Sequence, residues 1–293
     1  MQTNLDAFEQ YLKEHGRADR TASAYVSDVA RFVAWSEKAY GQEFTPSMLN
    51  RSDLRDYQVQ CRKALKVSAA TWNRYLASIK VFVAYLGIAD PTDAIDRADG
   101  QKLAPQSLTE SEYRRLRLAA NEAVRTAKTD AGLRQALRDR AVLTLLMEAG
   151  LREGEVVSLT GTSLQLGERK GRVLITAAKG NKDRVVPLDK DSVDAVRAYL
   201  NVSGAGSGRV FVGKFGESLQ ERGIQKMVAK YGQVARIEHV HPHMLRHTAA
   251  YRWMKAGATL VQVAELLGHS SIEVTRRYTL PHYSDLEQLV EAA

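Results

Sequence analysis

Residues 172–188 read RVLITAAKGNKDRVVPL: two five-residue runs of aliphatic and β-branched residues, 172–176 and 184–188, flank a turn built on KGNKD. Runs of that length and composition around a Gly-Asn pair predict an antiparallel hairpin. No other stretch of the 293 residues carries a comparable strand signal. The chain on both sides reads as helix, so the expected fold class is mainly α with a small β-sheet.

Toward the N-terminus, RDRAVLTLLMEAG reads as a buried helix ending at Gly150, preceded by a polar stretch at 125–132. SLTESEYRRLRLAANEA opens another helix, with Thr109 and Glu112 in capping-box spacing. Residues 96–107 (DRADGQKLAPQS) hold little apolar content together with Gly100 and Pro105, the composition of an interdomain linker. Residues 1–95 predict a four-helix bundle. Leu5, Phe8, Tyr11 and Leu12 share one face; Tyr25, Val29, Phe32, Val33 and Trp35 follow, stopped by Gly41. A third helix opens with Ser52 as its N-cap, and a fourth repeats at Trp72, Leu76, Ile79 and Val83 before Gly87. Beyond the hairpin, helices resume around a Gly/Ser-rich loop at 203–208, and TLVQVAELL ends at Gly268. The expected domains are a helical bundle over 1–95, a linker over 96–107 and an α+β domain over 108–293.

Apolar residues make up 44% and charged residues 26%, the proportions of an ordinary soluble globular protein. No apolar run approaches the roughly 20 residues of a membrane span, and the N-terminus lacks a signal-peptide apolar region. One cysteine, Cys61, excludes an internal disulfide or a multi-cysteine zinc site and suits a reducing cytoplasm. Net charge is +8, but the first hundred residues carry 13 of each sign, so the whole excess lies beyond them. Within that neutral part no acid occurs between Asp56 and Asp90, whereas Arg62, Lys63, Lys66, Arg74 and Lys80 do. Such a run suits either a phosphate backbone or a solvated helix face.

The chemistry-bearing residues lie in four blocks. In GLREGE, Arg152 and Glu155 sit three apart after the stop at Gly150, a spacing that puts both on one helix face. In HPHMLRH, Pro242 suits a first helical turn, so His243 and Arg246 share a face near an N-terminus that favours an anion, with His247 expected on another face. His269 follows the helix stop at Gly268, and Ser270 and Glu273 have capping-box spacing for a further helix that carries Arg276, Arg277 and Tyr278. Lys179, with Lys182 three residues on, sits at the hairpin turn, where a lysine is ordinarily just solvated but could protonate a leaving oxygen. Two guanidiniums can clamp the non-bridging oxygens of a phosphodiester while a tyrosine attacks the phosphorus. His239, His241, His243 and His247 also admit a metal-site reading. The absence of Asp or Glu between Glu238 and Glu265, and of HExxH, weakens it.

Taken together and in order, GLREGE, KGNKDRVVPL, HPHMLRHT and LGHSSIEVTRRYT resemble the tyrosine recombinase (phage integrase) family, most of all its Xer-like branch. The resemblance covers nearly the whole chain, because the bundle is similar to that family's core-binding, SAM-like domain. It implies a C-shaped DNA clamp in which the second domain is catalytic. It also implies that Arg152 and Arg246 are the catalytic arginines, Glu155 an acidic companion, Lys179 the hairpin lysine with Lys182 the fallback, His243 and His269 the histidines, and Tyr278 the nucleophile. None of these identities departs from the pattern. Residues 121–138 look longer than in compact members, and Tyr251-Arg252 replaces a more usual small residue and histidine.

The activity implied is site-specific recombination through a 3′-phosphotyrosyl bond and a Holliday junction, with no cofactor, neither metal nor nucleotide. The lack of a GxxxxGK[ST] loop agrees. The implied partners are a double-stranded DNA recombination site and further copies of the chain, a dimer on each site and a tetramer in synapsis. A partner recombinase or accessory protein could join them. The segment HYSDLEQLVEAA, with Leu286, Leu289 and Val290 at helical spacing, would pack on a neighbouring protomer or on its own domain. The implied location is cytoplasmic, on the nucleoid in a bacterium. A type IB topoisomerase would use a similar site, and a catalytically inactive DNA-binding protein would keep the same fold; filled catalytic positions argue against the latter.

Overall fold

The computed structural model describes residues 5–98, 107–176, 183–203, 208–213, 216–269 and 275. By internal contacts the chain divides into two compact units, Met1–Lys102 and Leu103–Ala293.

The first unit is a bundle of α1 (Leu5–Glu14), α2 (Asp19–Tyr40), α3 (Arg51–Val59) and α4 (Ala69–Leu86). Gly41 and Gly87 end α2 and α4 in the left-handed conformation, at φ 66° and 65°, where a side chain would be strained. Aromatic rings fill the centre. Phe8 meets Phe82 edge-on at 5.0 Å, and Phe32 meets Tyr57 at 5.2 Å. Such pairs add about 1 kcal/mol beyond the area they bury.

The third helix departs from expectation at both ends. Asn50, not Ser52, is the N-cap: its Oδ1 accepts from the backbone N–H groups of Ser52 and Asp53 at 2.9 and 3.1 Å. An amide that reaches two orphan donors displaces the serine into the first turn. At the other end α3 passes into a π-helical turn, Gln60–Ala64, which buries Cys61 and carries Arg62 and Lys63. Past α4 the backbone returns to the bundle. Gln58 donates to the Asp96 carbonyl, and the Asn73 side chain pairs with both the N–H and the carbonyl of Ala98.

The second unit comprises α5 (Glu110–Arg125), α6 (Asp130–Met147), α7 (Glu153–Ser158), β1 (Leu164–Leu166), β2 (Gly171–Ile175), β3 (Arg184–Leu188), α8 (Lys190–Ser203), α9 (Glu221–Val234), α10 (Pro242–Lys255) and α11 (Leu260–Leu267). The Thr109–Glu112 capping box forms as expected at the start of α5. Thr129 caps α6 by accepting from Gly132, so that helix starts within the stretch read as polar connection. The hairpin pairs antiparallel with Val173 opposite Val186, and the short β1 adds a third strand in the order β1-β2-β3. Val173, Ile175, Val186 and Leu188 face the core, while Leu174 and Val185 face outward.

Helix α10 runs through the middle of this unit, and its residues Met244 to Ala250 are all buried. Arg246, His247 and Thr248 are among them, and polar groups buried this way need hydrogen-bond partners. The Thr248 hydroxyl receives the Leu108 N–H at 2.9 Å and donates to the Met244 carbonyl. No helix among the described residues is long and apolar enough to cross a membrane. The hairpin turn with Lys179 and Lys182, the Ser270–Glu273 pattern, Tyr278 and the segment HYSDLEQLVEAA lie outside the described residues.

Candidate active site

Arg152 is the N-cap of α7, directly after Gly150 turns the chain at φ 60°. A side chain at Gly150 would meet Trp253 at 2.9 Å and Leu267 at 3.2 Å, so the turn packs tightly against α10 and α11. This close packing aims the first turn of α7 at the end of α11. Glu155, three residues on, bonds back to Arg152 twice. Its Oε2 accepts from the Arg152 backbone N–H at 2.8 Å, and its Oε1 accepts from Nη1 at 2.9 Å.

Arg246 comes to the same place from α10. Its Nη1 donates to the Gly150 carbonyl at 2.6 Å and its Nη2 to the Leu267 carbonyl at 2.5 Å. Nη1 also lies 3.8 Å from Glu155 Oε2, an ion pair without a hydrogen bond. The Arg246 side chain is 2% exposed and that of Arg152 36%, so Arg152 is the open half of the arginine pair.

Gly268 ends α11 at φ 63° and turns the chain so that His269 faces Arg246. The imidazole spans two partners: Nε2 lies 3.4 Å from Arg246 Nη2, and Nδ1 lies 2.8 Å from the Thr275 hydroxyl. His243 lies exposed on the first turn of α10, and its ring meets the buried His247 edge-on at 4.5 Å. The two share a face after all, as residues four apart on a helix do. His241 has a local task, its Nδ1 accepting from the Met244 N–H as the N-cap of α10. Among the described residues no three His, Cys, Asp or Glu side chains form a metal-ligating group.

A third arginine, which sequence reading missed, completes the locus. Arg184 at the start of β3 grips Glu155 with both Nη atoms, at 2.9 and 2.7 Å, and its Nε donates to the Leu266 carbonyl at 2.9 Å. A signal for it existed. Period-two alternation puts residue 184 on the same side of the strand as Val186 and Leu188, and an arginine on a core face requires a carboxylate. Burial works against the Glu155 charge. The Arg184 hydrogen bond, the Arg152 backbone N–H and the charges of Arg184 and Arg246 outweigh it and hold the carboxyl below its ordinary value.

The structure thus brings together Arg152, Glu155, Arg246 and His269, with His243 on the same helix as Arg246. An arginine pair braced by a part-buried anion, beside an imidazole, can bind a phosphodiester and stabilise charge developing on it.

The five basic residues of the first unit do not form one stripe. Arg62 and Lys63 sit on the π turn, with Arg62 donating to the Val67 carbonyl, and Lys66 follows at φ 51°. Arg74 is paired with the buried Asp28 at 2.8 Å, and Lys80 with Asp93 at 2.6 Å and Asp90 at 3.3 Å. Six residues apart on α4, Arg74 and Lys80 point about 120° from each other.

The site is of the class that can hold a phosphodiester between guanidiniums. The model of the phage integrase family matches residues 106–284, and that of the phage integrase N-terminal SAM-like domain matches residues 5–87. The chain belongs to the phage integrase family and is a tyrosine recombinase. It is 31% identical to tyrosine recombinase XerC of Pelobacter propionicus, over 98% of this chain and 92% of that protein. It is 33% identical to tyrosine recombinase XerD of Bifidobacterium longum, over 95% and 91% respectively. Two solved structures share its fold. One is XerH bound to palindromic difH substrate (TM-score 0.78, 19% identity, 98% of this chain and 84% of that one). The other is a lambda integrase dimer bound to a core site (TM-score 0.71, 16% identity, 94% and 93%).

Proposed function

We propose that this recombinase breaks and rejoins DNA at a specific site through a covalent bond between Tyr278 and a 3′ phosphate. The observation that carries the reading is the convergence of Arg152 and Arg246 on one part-buried carboxylate, with His269 beside Arg246, from three separate segments. Tyr278 attacks the scissile phosphorus, the 3′-phosphotyrosyl bond forms, and the bond to the 5′ oxygen breaks. Lys179, or Lys182 in its stead, gives that oxygen a proton. Arg152 and Arg246 neutralise charge on the non-bridging oxygens, His269 adds a hydrogen bond, and His243 takes the tyrosine proton. The covalent bond conserves the energy of the broken one, so a 5′ hydroxyl from a second duplex reverses the attack and exchanges strands through a Holliday junction.

The natural substrate is a double-stranded recombination site in the cytoplasm, bound by both units of the chain, two copies per site and four in synapsis. Dimer resolution and movement of a mobile element both employ this chemistry, and the relatives' names favour the Xer kind. For oligomerisation, the segment HYSDLEQLVEAA carries Leu286, Leu289 and Val290 at helical spacing. A groove of about 600 Å³, lined by Val185, Trp253, Ala258 and Leu266, offers an apolar surface of suitable character.

The test traps the covalent complex. Wild type and Tyr278→Phe are incubated in EDTA with a nicked suicide duplex carrying the site, sought first in sequence flanking the gene. A protein–DNA band from wild type alone supports the reading. A band that persists in the variant moves the nucleophile elsewhere, and no band from either on specifically bound DNA refutes cleavage.

A further inference from the structure

Arg184 takes no part in the chemistry just described, yet it makes three hydrogen bonds at the site and its side chain is only 9% exposed. We propose that Arg184 is a positioning residue for strand cleavage: one guanidinium sets Glu155, and through it Arg152, in register with the end of α11 that carries His269. The proposal rests on the cleavage reading above.

The geometry is that of a planar fork used on two edges. Nη1 and Nη2 meet the two oxygens of Glu155, and Glu155 Oε1 is the same atom that receives Arg152 Nη1. The remaining edge, Nε, holds the Leu266 carbonyl, while Arg246 holds the next one, Leu267. Two arginines that both face Glu155 therefore grip consecutive carbonyls at one helix end. Gly268 comes next, and a Cβ there would lie 2.8 Å from Arg184 Nη1 and 3.0 Å from Cδ. The turn that aims His269 is thus moulded against Arg184. Partners 29 and 82 residues away in sequence are tied by one side chain. Lysine would keep the charge but could not reproduce a bidentate grip together with a third, in-plane bond.

The test uses the full chain, a nicked suicide duplex and saturating protein, and compares wild type, Arg184→Gln, Arg184→Lys, Glu155→Gln and the Arg184→Gln/Glu155→Gln double variant. Misplacing catalytic groups by about an ångström costs on the order of a hundredfold. Both Arg184 variants are expected to cleave slower by about that factor, with unchanged affinity for the duplex. The double variant should cleave no slower than Glu155→Gln alone. Cleavage by Arg184→Lys at the wild-type rate would overturn the proposal, since charge would then suffice. Multiplying defects in the double variant would also overturn it, because Arg184 would not act through Glu155. So would a loss of cleavage fully matched by lost DNA binding and a lowered melting temperature, the mark of a merely structural residue. No covalent complex from wild type would sink the cleavage reading itself, an outcome distinct from a defect confined to the Arg184 variants.

Discussion

Arg184 and Arg246 donate to adjacent carbonyls, those of Leu266 and Leu267, at 2.9 and 2.5 Å. Neither residue lies on α11, and both face Glu155. The last turn of that helix, whose carbonyls have no partner within the helix, is completed by side chains from β3 and α10. The site and its scaffold are therefore bonded by the same groups.

Arg246 should be the least replaceable of these. Arg246→Lys keeps a charge but not the two-carbonyl grip, leaving at least one buried acceptor unpaired at a cost of about 1–3 kcal/mol. The urea midpoint should fall accordingly, and trapping of the covalent complex should drop a hundredfold or more, on the order expected for losing a preorganised donor. An unchanged midpoint would show that the carbonyls find other donors.

Gly150→Ala should destabilise the second unit. The residue is left-handed at φ 60°, and a methyl there would press on Trp253, Leu267 and Ala249. Backbone strain of about 1–2 kcal/mol adds to overpacking of a similar size. A melting temperature within error of wild type would contradict this packing.

Two part-buried carboxyls should give opposite pH trends. Glu155 is held below its ordinary value, so its contribution to stability is present above the unfolded-state value and lost as pH falls through the folded-state one. Glu148 is pushed up by burial, against the Tyr113 hydroxyl that donates to it and the charge of Arg252. Its contribution is present below the unfolded value and lost as pH rises through the folded one. Urea midpoints measured from acid pH, below the ordinary glutamate value, up to neutral should show wild type gaining on Glu155→Gln below that value and losing ground to Glu148→Gln above it. Parallel curves for all three would refute the assignment.

Arg252, on the last turn of α10, has partners on α5. Its guanidinium lies 3.9 Å over the Tyr113 ring and donates to Glu110 at 2.7 Å, joining α10 to α5. Burial and the Glu148 contact push the Tyr113 hydroxyl up to about 12, so it remains a donor throughout the neutral range. Arg252→Ala is expected to cost about 1 kcal/mol of stability while leaving suicide-substrate cleavage at the wild-type rate. Lost cleavage in a folded variant would assign the residue a larger part.

Basic residues of the first unit should separate by whether a carboxylate already holds them. Lys63→Ala should weaken DNA binding and lower the slope of log K against log salt by about 1. Lys80, held between Asp90 and Asp93, should show a smaller change on the same substitution. Equal slopes for the two variants would mean that the ion pairs open on DNA.

Much of this architecture was legible because it is local. Gly41, Gly87 and Gly268 end helices by a backbone conformation that glycine supplies, and the hairpin announced itself by composition. Arg152, Arg246 and His269 were legible as residues from the family's blocks. The cap at Asn50 was misread because Ser52, two residues on, has the same propensity and only geometry decides between them. The π turn at 60–64 has no sequence signature, and β1 is three residues long. Arg184 was missed for a different reason: its partners, Glu155 and Leu266, come near only when α7 and α11 have packed. Alternation along β3 puts Arg184 on the core side, but nothing local in the sequence names the carboxylate that it meets.

Cys61 is the only thiol in the chain, and it has no exposed surface. Any reagent that alkylates this protein must wait for the bundle around Phe32, Tyr57 and Trp72 to open. Thiol labelling therefore acts as an intrinsic clock for one half of the molecule, ticking at the opening rate of the first unit whatever the second is doing. Run with and without DNA, that clock would read how far a bound duplex restrains the first unit.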